Sequence, residues 1–170
     1  GVLDYERRLA FRGPEGYVEL PPAAKGGKET PADAEALTEA IDAGLARFPD
    51  ADDLLAAIVL EASPKRVVVT RGEGETYTLE GDAIRFVRAA LSDSASSGER
   101  LRRGAVLRLT LDDKGLPRLT QMPQVEAALV AIDPKDGAVR SLVGGFDFNK
   151  NQYNHVTQAS RQPGSSFKPF

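Results

Sequence analysis

Leu54-Leu55-Ala56-Ala57-Ile58-Val59-Leu60-Glu61-Ala62-Ser63-Pro64-Lys65-Arg66-Val67-Val68-Val69-Thr70 decides the fold. Leu54–Glu61 and Arg66–Thr70 are short aliphatic and β-branched runs, and Ala62-Ser63-Pro64-Lys65 between them has turn chemistry. Three more runs follow: Thr76–Leu79, Gly104–Leu111 and Pro117–Gln121, with turns at Arg71-Gly72-Glu73-Gly74 and Asp112-Asp113-Lys114-Gly115. Five half-wet strands joined by short turns predict a small barrel. Gly81–Leu91 interrupts them with apolar residues at Ile84, Val87 and Leu91, the spacing of a short helix, and the Ser-rich stretch Ser92–Gly98 reads as a loop.

Upstream, Thr30-Pro31-Ala32-Asp33 places a capping Thr, a Pro at the first helical position and an acid three residues after the cap. Ala34, Leu37, Ile41, Leu45 and Phe48 then recur at threes and fours, which predicts a helix over Pro31–Phe48. Gly44 inside it costs about 1 kcal/mol relative to Ala. Tyr17–Leu20 reads as a strand stopped by Pro21-Pro22, Pro21–Lys28 as a solvated loop, and Val2–Phe11 carries too much charge for assignment.

After Pro123 the pattern changes. Val125–Ile132 is almost continuously apolar, Pro134-Lys135-Asp136-Gly137 is a turn, and Ala138–Val143 returns as a second strand. Continuous apolarity predicts a hairpin covered on both faces, whose strands would be left bare without the rest of their sheet. The domain boundary therefore falls near Gln121–Gln124, and the fold class is mainly β with helices, α+β.

The chain has 170 residues, 41% of them hydrophobic, enough for one full core and a piece of another. A net charge of -3 argues against a phosphate-backbone partner, so no nucleic acid is expected. With no cysteine there are no disulfides, thiol nucleophiles or thiolate metal sites. No apolar run reaches membrane-spanning length and no signal peptide is visible, so any anchor is expected outside this segment.

The last ten residues, Arg161-Gln162-Pro163-Gly164-Ser165-Ser166-Phe167-Lys168-Pro169-Phe170, carry the chemistry. On a helix that starts at Ser165, residues three apart share a face, so Ser165 and Lys168 can touch. A serine hydroxyl attacks a carbonyl poorly unless a neighbouring base takes its proton, and a lysine held partly neutral can do so. A helix N-terminus also favours the developing anion. Pro169 lacks an N–H, so a short or kinked helix start is expected. Alone, Ser-x-x-Lys is a weak signal whose ordinary reading is a solvated helix face.

Its context is specific. The tail, with Gln158-Ala159, Gly144-Gly145-Phe146 and the hairpin before it, resembles the start of the transpeptidase domain of class A bifunctional penicillin-binding proteins, the penicillin-binding protein 1A group. Phe11-Arg12-Gly13-Pro14-Glu15-Gly16-Tyr17 resembles the same group, and about Pro21–Gln121 resembles its OB-like insert in length and strand pattern.

The resemblance implies a division into residues 1–20, a linker and strand belonging with the transpeptidase region; 21–122, the OB-like accessory domain; and 123–170, the opening of the transpeptidase domain. By it, Ser165 is the nucleophile for stem-peptide D-Ala-D-Ala ends and for β-lactams, Lys168 is its proton acceptor, and no cofactor or metal is required. Two further family motifs, Ser-x-Asn and Lys-Thr-Gly, do not occur in these 170 residues, so the segment alone is expected to be inactive. The resemblance also implies a parent with a glycosyltransferase domain, a periplasmic location with an inner-membrane anchor elsewhere, no membrane contact in this segment, and an outer-membrane lipoprotein activator docking on the OB-like domain. The other readings are a pure protein-docking module, or a different serine acyl-enzyme such as a β-lactamase or β-lactam sensor. An OB-like barrel also permits an oligonucleotide binder, which the acidic balance opposes.

Remaining residues have plainer readings. His155, the single histidine, reads as a surface or loop residue. Asp50-Ala51-Asp52-Asp53 and Asp112-Asp113 read as turn acids without the Gly and Glu of a calcium loop. Arg100, Arg102 and Arg103 read as a solvated charge run, with a docking patch as the alternative, and Phe48, Tyr77 and Phe86 as core.

Overall fold

A computed structural model describes residues 2–23, 30–146 and 152–160. The elements are α1 (Val2–Arg8), β1 (Gly16–Tyr17), α2 (Pro31–Arg47), β2 (Leu55–Ala62), β3 (Arg66–Thr70), β4 (Thr76–Glu80), a 3-10 helix (Gly81–Leu91), β5 (Ala105–Leu111), β6 (Pro117–Thr120), β7 (Leu129–Ile132) and β8 (Val139–Val143). This is the α+β class, with antiparallel pairing throughout.

α2 forms where its local chemistry demands. Thr30 accepts from the Asp33 amide at 3.2 Å while the Asp33 carboxylate accepts from the Thr30 amide at 3.1 Å, closing a capping box ahead of Pro31. The helix lays Ile41 and Gly44 on the sheet. A Cβ at Gly44 would stand 2.7 Å from Val18 Cγ2 and 2.9 Å from Ile58 Cδ1, so the missing side chain is what lets helix and sheet approach. The propensity cost of this glycine is therefore offset by packing.

β1 to β6 make one sheet in the order β1-β5-β2-β3-β4, with β6 also on β5. Register places Ala57 opposite Leu107 and Ile58 opposite Val106, and alternation sends these pairs to opposite faces. On one face Val59, Val67, Val69, Leu107 and Leu109 join Ile84, Val87 and Ala90 of the 3-10 helix; on the other Ile58 and Val106 meet Val18 and Ile41. β2 and β5 are consequently buried on both faces. The sequence anticipated half-wet strands here, because it could not show α2 folding back over β2 and β5. Phe48, Tyr77 and Phe86 pack against these two clusters as expected.

Two details differ from the five-stranded barrel. The sheet has six strands, and among the described residues β4 and β6 are not bonded to each other; both pack instead on the 3-10 helix, which fills the gap between their edges. That helix runs eleven residues, far beyond the usual three or four. Its buried Ile84, Val87 and Ala90 fall at strict threes, and a helix with three residues per turn stacks all of them on one face.

Leu3 to Leu20 fall in the same compact unit as the six-stranded sheet. From Leu3 to Met122 the chain forms one compact unit, and the other begins at Pro123. β1 pairs with β5, and the Phe11 ring meets the Phe86 ring edge-on at 5.5 Å. Arg12 ties the unit's entry to its exit. Its guanidinium bonds the fully buried Glu6 carboxylate at 2.7 Å and the Met122 carbonyl at 2.8 Å, and its amide donates to Gln121 Oε1 at 3.1 Å. The partners of residues 1–20 lie about a hundred positions away, beyond the reach of any local pattern.

In the second unit β7 and β8 form the expected hairpin, with Leu129 opposite Val143. β7 starts four residues later than the apolar run. The expected cover on both faces is absent among the described residues: Leu129, Ile132 and Val139 are 55%, 56% and 57% exposed. The bare strands match the other expectation, that these faces need more sheet than this segment holds.

Candidate functional site

Ser165 and Lys168 lie outside the described residues, as do residues 24–29 of the predicted loop, so the structure neither joins nor separates the nucleophile–base pair. It does describe much of the chain that leads to them.

Residues 152–160 are fixed to the end of the hairpin by a compact polar clasp. The His155 amide donates to the Gly144 carbonyl at 2.8 Å, and His155 Nε2 stands 3.1 Å from Glu126 Oε2. Both side chains are substantially buried, and Tyr153 packs edge-on against the imidazole with centroids 4.9 Å apart. The turn is locally closed as well. The Asn154 side-chain oxygen accepts from the Val156 amide at 2.9 Å, the Gln158 amide donates to the Asn154 carbonyl at 2.8 Å, and Gln158 Oε1 accepts from the Asn154 amide at 2.6 Å.

Gly144 leaves the room that the Asn154 backbone needs, and Gly145 lies beside the Glu126 carboxylate. A Cβ at Gly144 would come within 2.6 Å of Asn154 Oδ1, and one at Gly145 within 2.8 Å of Glu126 Oε2. Sequence reasoning placed His155 on a surface or loop and gave it no partner. Glu126 lies 29 positions earlier, and a lone Glu in an apolar run was the signal available.

The first unit uses its charges for construction. Arg108, 3% exposed, bonds Glu15 at 2.6 Å and the Pro49 carbonyl at 2.8 Å. A bulge between Val59 and Glu61 breaks the β2–β3 register, and Arg103 bonds the Leu60 carbonyl there at 3.0 Å and also the Pro21 carbonyl. Arg102 lies over the Tyr17 ring at 4.5 Å and Arg100 pairs with Asp93, both on the exposed surface, the solvated charge run expected, while Arg103 is drawn partly inward.

The acid clusters are turn acids, as expected. Asp50 accepts from the Ala56 amide at 2.7 Å and from Arg71 at 3.0 Å. Partial burial opposes ionisation of Asp50, but the Arg71 hydrogen bond, the Ala56 amide and the charges of Arg71 and Arg108 outweigh it and hold its pKa below the usual carboxylate value. Asp112 accepts from the Lys114 and Leu116 amides. Among the described residues no three His, Cys, Asp or Glu side chains are grouped to hold a metal, and no helix is long and apolar enough to cross a membrane.

An open groove of about 890 Å³ runs between β4, the 3-10 helix and the β5–β6 turn. Its charged lining is Arg7, Arg85 and Arg118 against Glu80, Asp82 and Asp112. With cations and anions balanced, no sign of charge selects a ligand.

Comparison with known proteins places both units in one context. A model of the penicillin-binding protein OB-like domain matches residues 11–125. Penicillin-binding protein 1A of Neisseria lactamica is 38% identical over 170 residues, covering 99% of this chain and 20% of that protein. Penicillin-binding protein 1A of Pseudomonas aeruginosa is 34% identical over 176 residues, covering 100% of this chain and 20% of that protein. The crystal structure of penicillin-binding protein 1A from Haemophilus influenzae superposes with a TM-score of 0.68 at 26% identity, over 99% of this chain and 22% of that one. The chain thus spans about a fifth of the length of the curated relatives it matches.

Proposed function

Because the chain belongs to the penicillin-binding protein OB-like domain family, we propose that it is a segment of a bifunctional peptidoglycan synthase, supplying the OB-like accessory domain and the opening of the D,D-transpeptidase domain. The observation that carries this reading is that the likeness to the penicillin-binding proteins 1A runs through both the OB-like unit and the tail bearing Ser165-x-x-Lys168.

In this reading Ser165 Oγ attacks the carbonyl carbon of the D-Ala-D-Ala peptide bond while Lys168 Nζ takes the hydroxyl proton. The C–N bond breaks, the terminal D-Ala leaves as an amine carrying that proton, and an ester to Ser165 remains. An amine of a neighbouring stem peptide then attacks the ester, a new amide forms, and the proton released from that amine returns to Ser165. A β-lactam acylates the same oxygen by opening of its ring amide, and the ring nitrogen keeps the proton. Glycan polymerisation would belong to a glycosyltransferase domain elsewhere in the longer protein, which would act in the periplasm from an inner-membrane anchor. The OB-like unit would serve regulation, with an outer-membrane lipoprotein activator as its partner.

Fluorescent penicillin tests the reading. The longer protein should be labelled once per chain, and Ser165→Ala should abolish labelling; persistent labelling means that another residue is the nucleophile. The isolated 170-residue segment, without the Ser-x-Asn and Lys-Thr-Gly motifs, should form no stable adduct. Stoichiometric labelling of its Ser165 would refute that part.

A further inference from the structure

The six-stranded sheet of the first unit is left open along β4. That strand bonds to β3 over an unbroken register, from Thr70 opposite Thr76 to Arg66 opposite Glu80, and among the described residues no strand lies on its other side. The phase of the ladder follows from its end, where the Arg71 amide donates to the Glu75 carbonyl at 2.9 Å. Alternate pairs of an antiparallel ladder exchange hydrogen bonds, so Tyr77 and Leu79 turn their peptide groups to β3, and Thr76 and Thr78 turn theirs outward. Among the described residues nothing bonds those outward groups.

Open edges of this kind are usually blunted by proline, lysine or a bulge. β4 has none of these, and its one charge is Glu80, at its end. Thr78 and Glu80 line the open groove beside the 3-10 helix. So do Leu9 and Leu116, 37% and 58% exposed, two of the few large apolar side chains that the first unit leaves in solvent, together with Phe86 and Leu119. A groove with an unused ladder edge, an apolar lining and balanced charge fits a peptide backbone, which is neutral and brings both donors and acceptors, better than it fits any ion.

We propose that this groove docks an extended segment of a partner protein, which adds to the edge of β4 as a further strand and lays alternate apolar side chains against Leu9, Phe86 and Leu116. The proposal gives the regulatory reading of the OB-like unit a physical form and rests on that reading for its purpose.

The test selects phage-displayed random dodecapeptides on the 170-residue chain, and the most enriched peptide is synthesised. Its binding should slow amide exchange at Thr76 and Thr78 at least about tenfold and leave Tyr77 and Leu79, already bonded to β3, unchanged. N-methylation of the peptide, one amide at a time, should weaken binding about tenfold at every second position only, because alternate N–H groups face β4. Thr78→Ala keeps the backbone groups and should bind within about twofold of the wild type. Thr78→Pro removes the outward N–H and should weaken binding about tenfold or more.

No enrichment above that on the Thr78→Pro chain overturns the proposal. A flat N-methyl scan, a tenfold loss with Thr78→Ala, or protection confined to β7 and β8 does so too, because each puts the contact in side chains or elsewhere. Protection of Thr76 and Thr78 without peptide, rising with protein concentration, makes a second copy the occupant; the same protection in the longer protein at high dilution makes it a segment of that chain. Either result is equally fatal to a partner strand. Failure of the regulatory reading looks different: the peptide adds to β4 as described, yet at saturation it leaves both glycan polymerisation and penicillin acylation by the longer protein unchanged.

Discussion

Two sheets in this chain solve the problem of apolar strands in opposite ways. In the first unit β2 and β5 are buried on both faces, with α2 on one side and the 3-10 helix on the other. In the second, every residue of β7 and β8 is exposed although the sequence there is comparably apolar. The composition of a strand states what it needs, and only the remaining chain decides whether the need is met. The first unit contains its own cover and even locks its two ends together through Arg12, whereas the hairpin holds a demand that other sheet or another surface would have to satisfy.

The largest expected effect sharpens this contrast at the centre of the first unit. Leu109 is fully buried between β2 and β6. Leu109→Ala should cost about 3 kcal/mol, from lost transfer energy and the cavity left behind, measured as a shift in the urea midpoint at unchanged slope. Next is the joint between entry and exit. Arg12→Ala removes a charged hydrogen-bond partner from the Glu6 carboxylate, 0% exposed, and the bond to the Met122 carbonyl, and should cost about 2 kcal/mol, because breaking buried charge-assisted bonds costs more than losing a surface pair. A loss under about 0.5 kcal/mol would mean that the joint is open in solution and that Arg12 is not what joins entry to exit.

Acid should act through paired carboxylates of both units. Asp50 has its pKa lowered mainly by Arg71 and the Ala56 amide against the pull of burial, and Asp133 has its pKa lowered by the Lys135 amide and Arg140. A carboxyl whose folded pKa lies below its unfolded value of about 3.9 stabilises the fold above that pH, and the contribution disappears as pH falls through the folded pKa. Asp50→Asn should therefore lower the melting temperature at pH 7 and converge with the wild type near the bottom of that window. Curves that stay parallel from pH 7 to pH 2 would mean that the charge of Asp50 contributes nothing. A smaller loss, about 1 kcal/mol, is expected for Thr30→Ala, which removes one side of the capping box.

What the sequence made legible was local. The α2 start is written in four consecutive residues, and β3 matches its predicted span because a β-branched run sits between two turns. What it hid depends on distant partners. α1 looked unassignable because Glu6 reads as a surface charge until Arg12 and Gln121 surround it. The pairing of β1 with β5 was equally hidden, since about ninety positions separate the two strands. In the second unit the Glu126–His155 contact was hidden too, since nothing in an apolar run announces which acid will meet a lone histidine.

The smallest expected effect is the one that separates the two sheets most cleanly. Ile132 is 56% exposed in β7, so Ile132→Ala in this segment should change the unfolding free energy by no more than about 0.5 kcal/mol, as for an ordinary surface position. In the longer protein the same substitution has two possible outcomes. If the hairpin is built into a larger sheet there, Ile132 becomes a core residue and its truncation costs about 2–5 kcal/mol, like Leu109 here. If the hairpin stays bare, the cost remains near zero, and its apolar faces serve something other than folding. Comparing one substitution in two lengths of chain thus measures how much of the hairpin's demand is met by sequence outside these 170 residues.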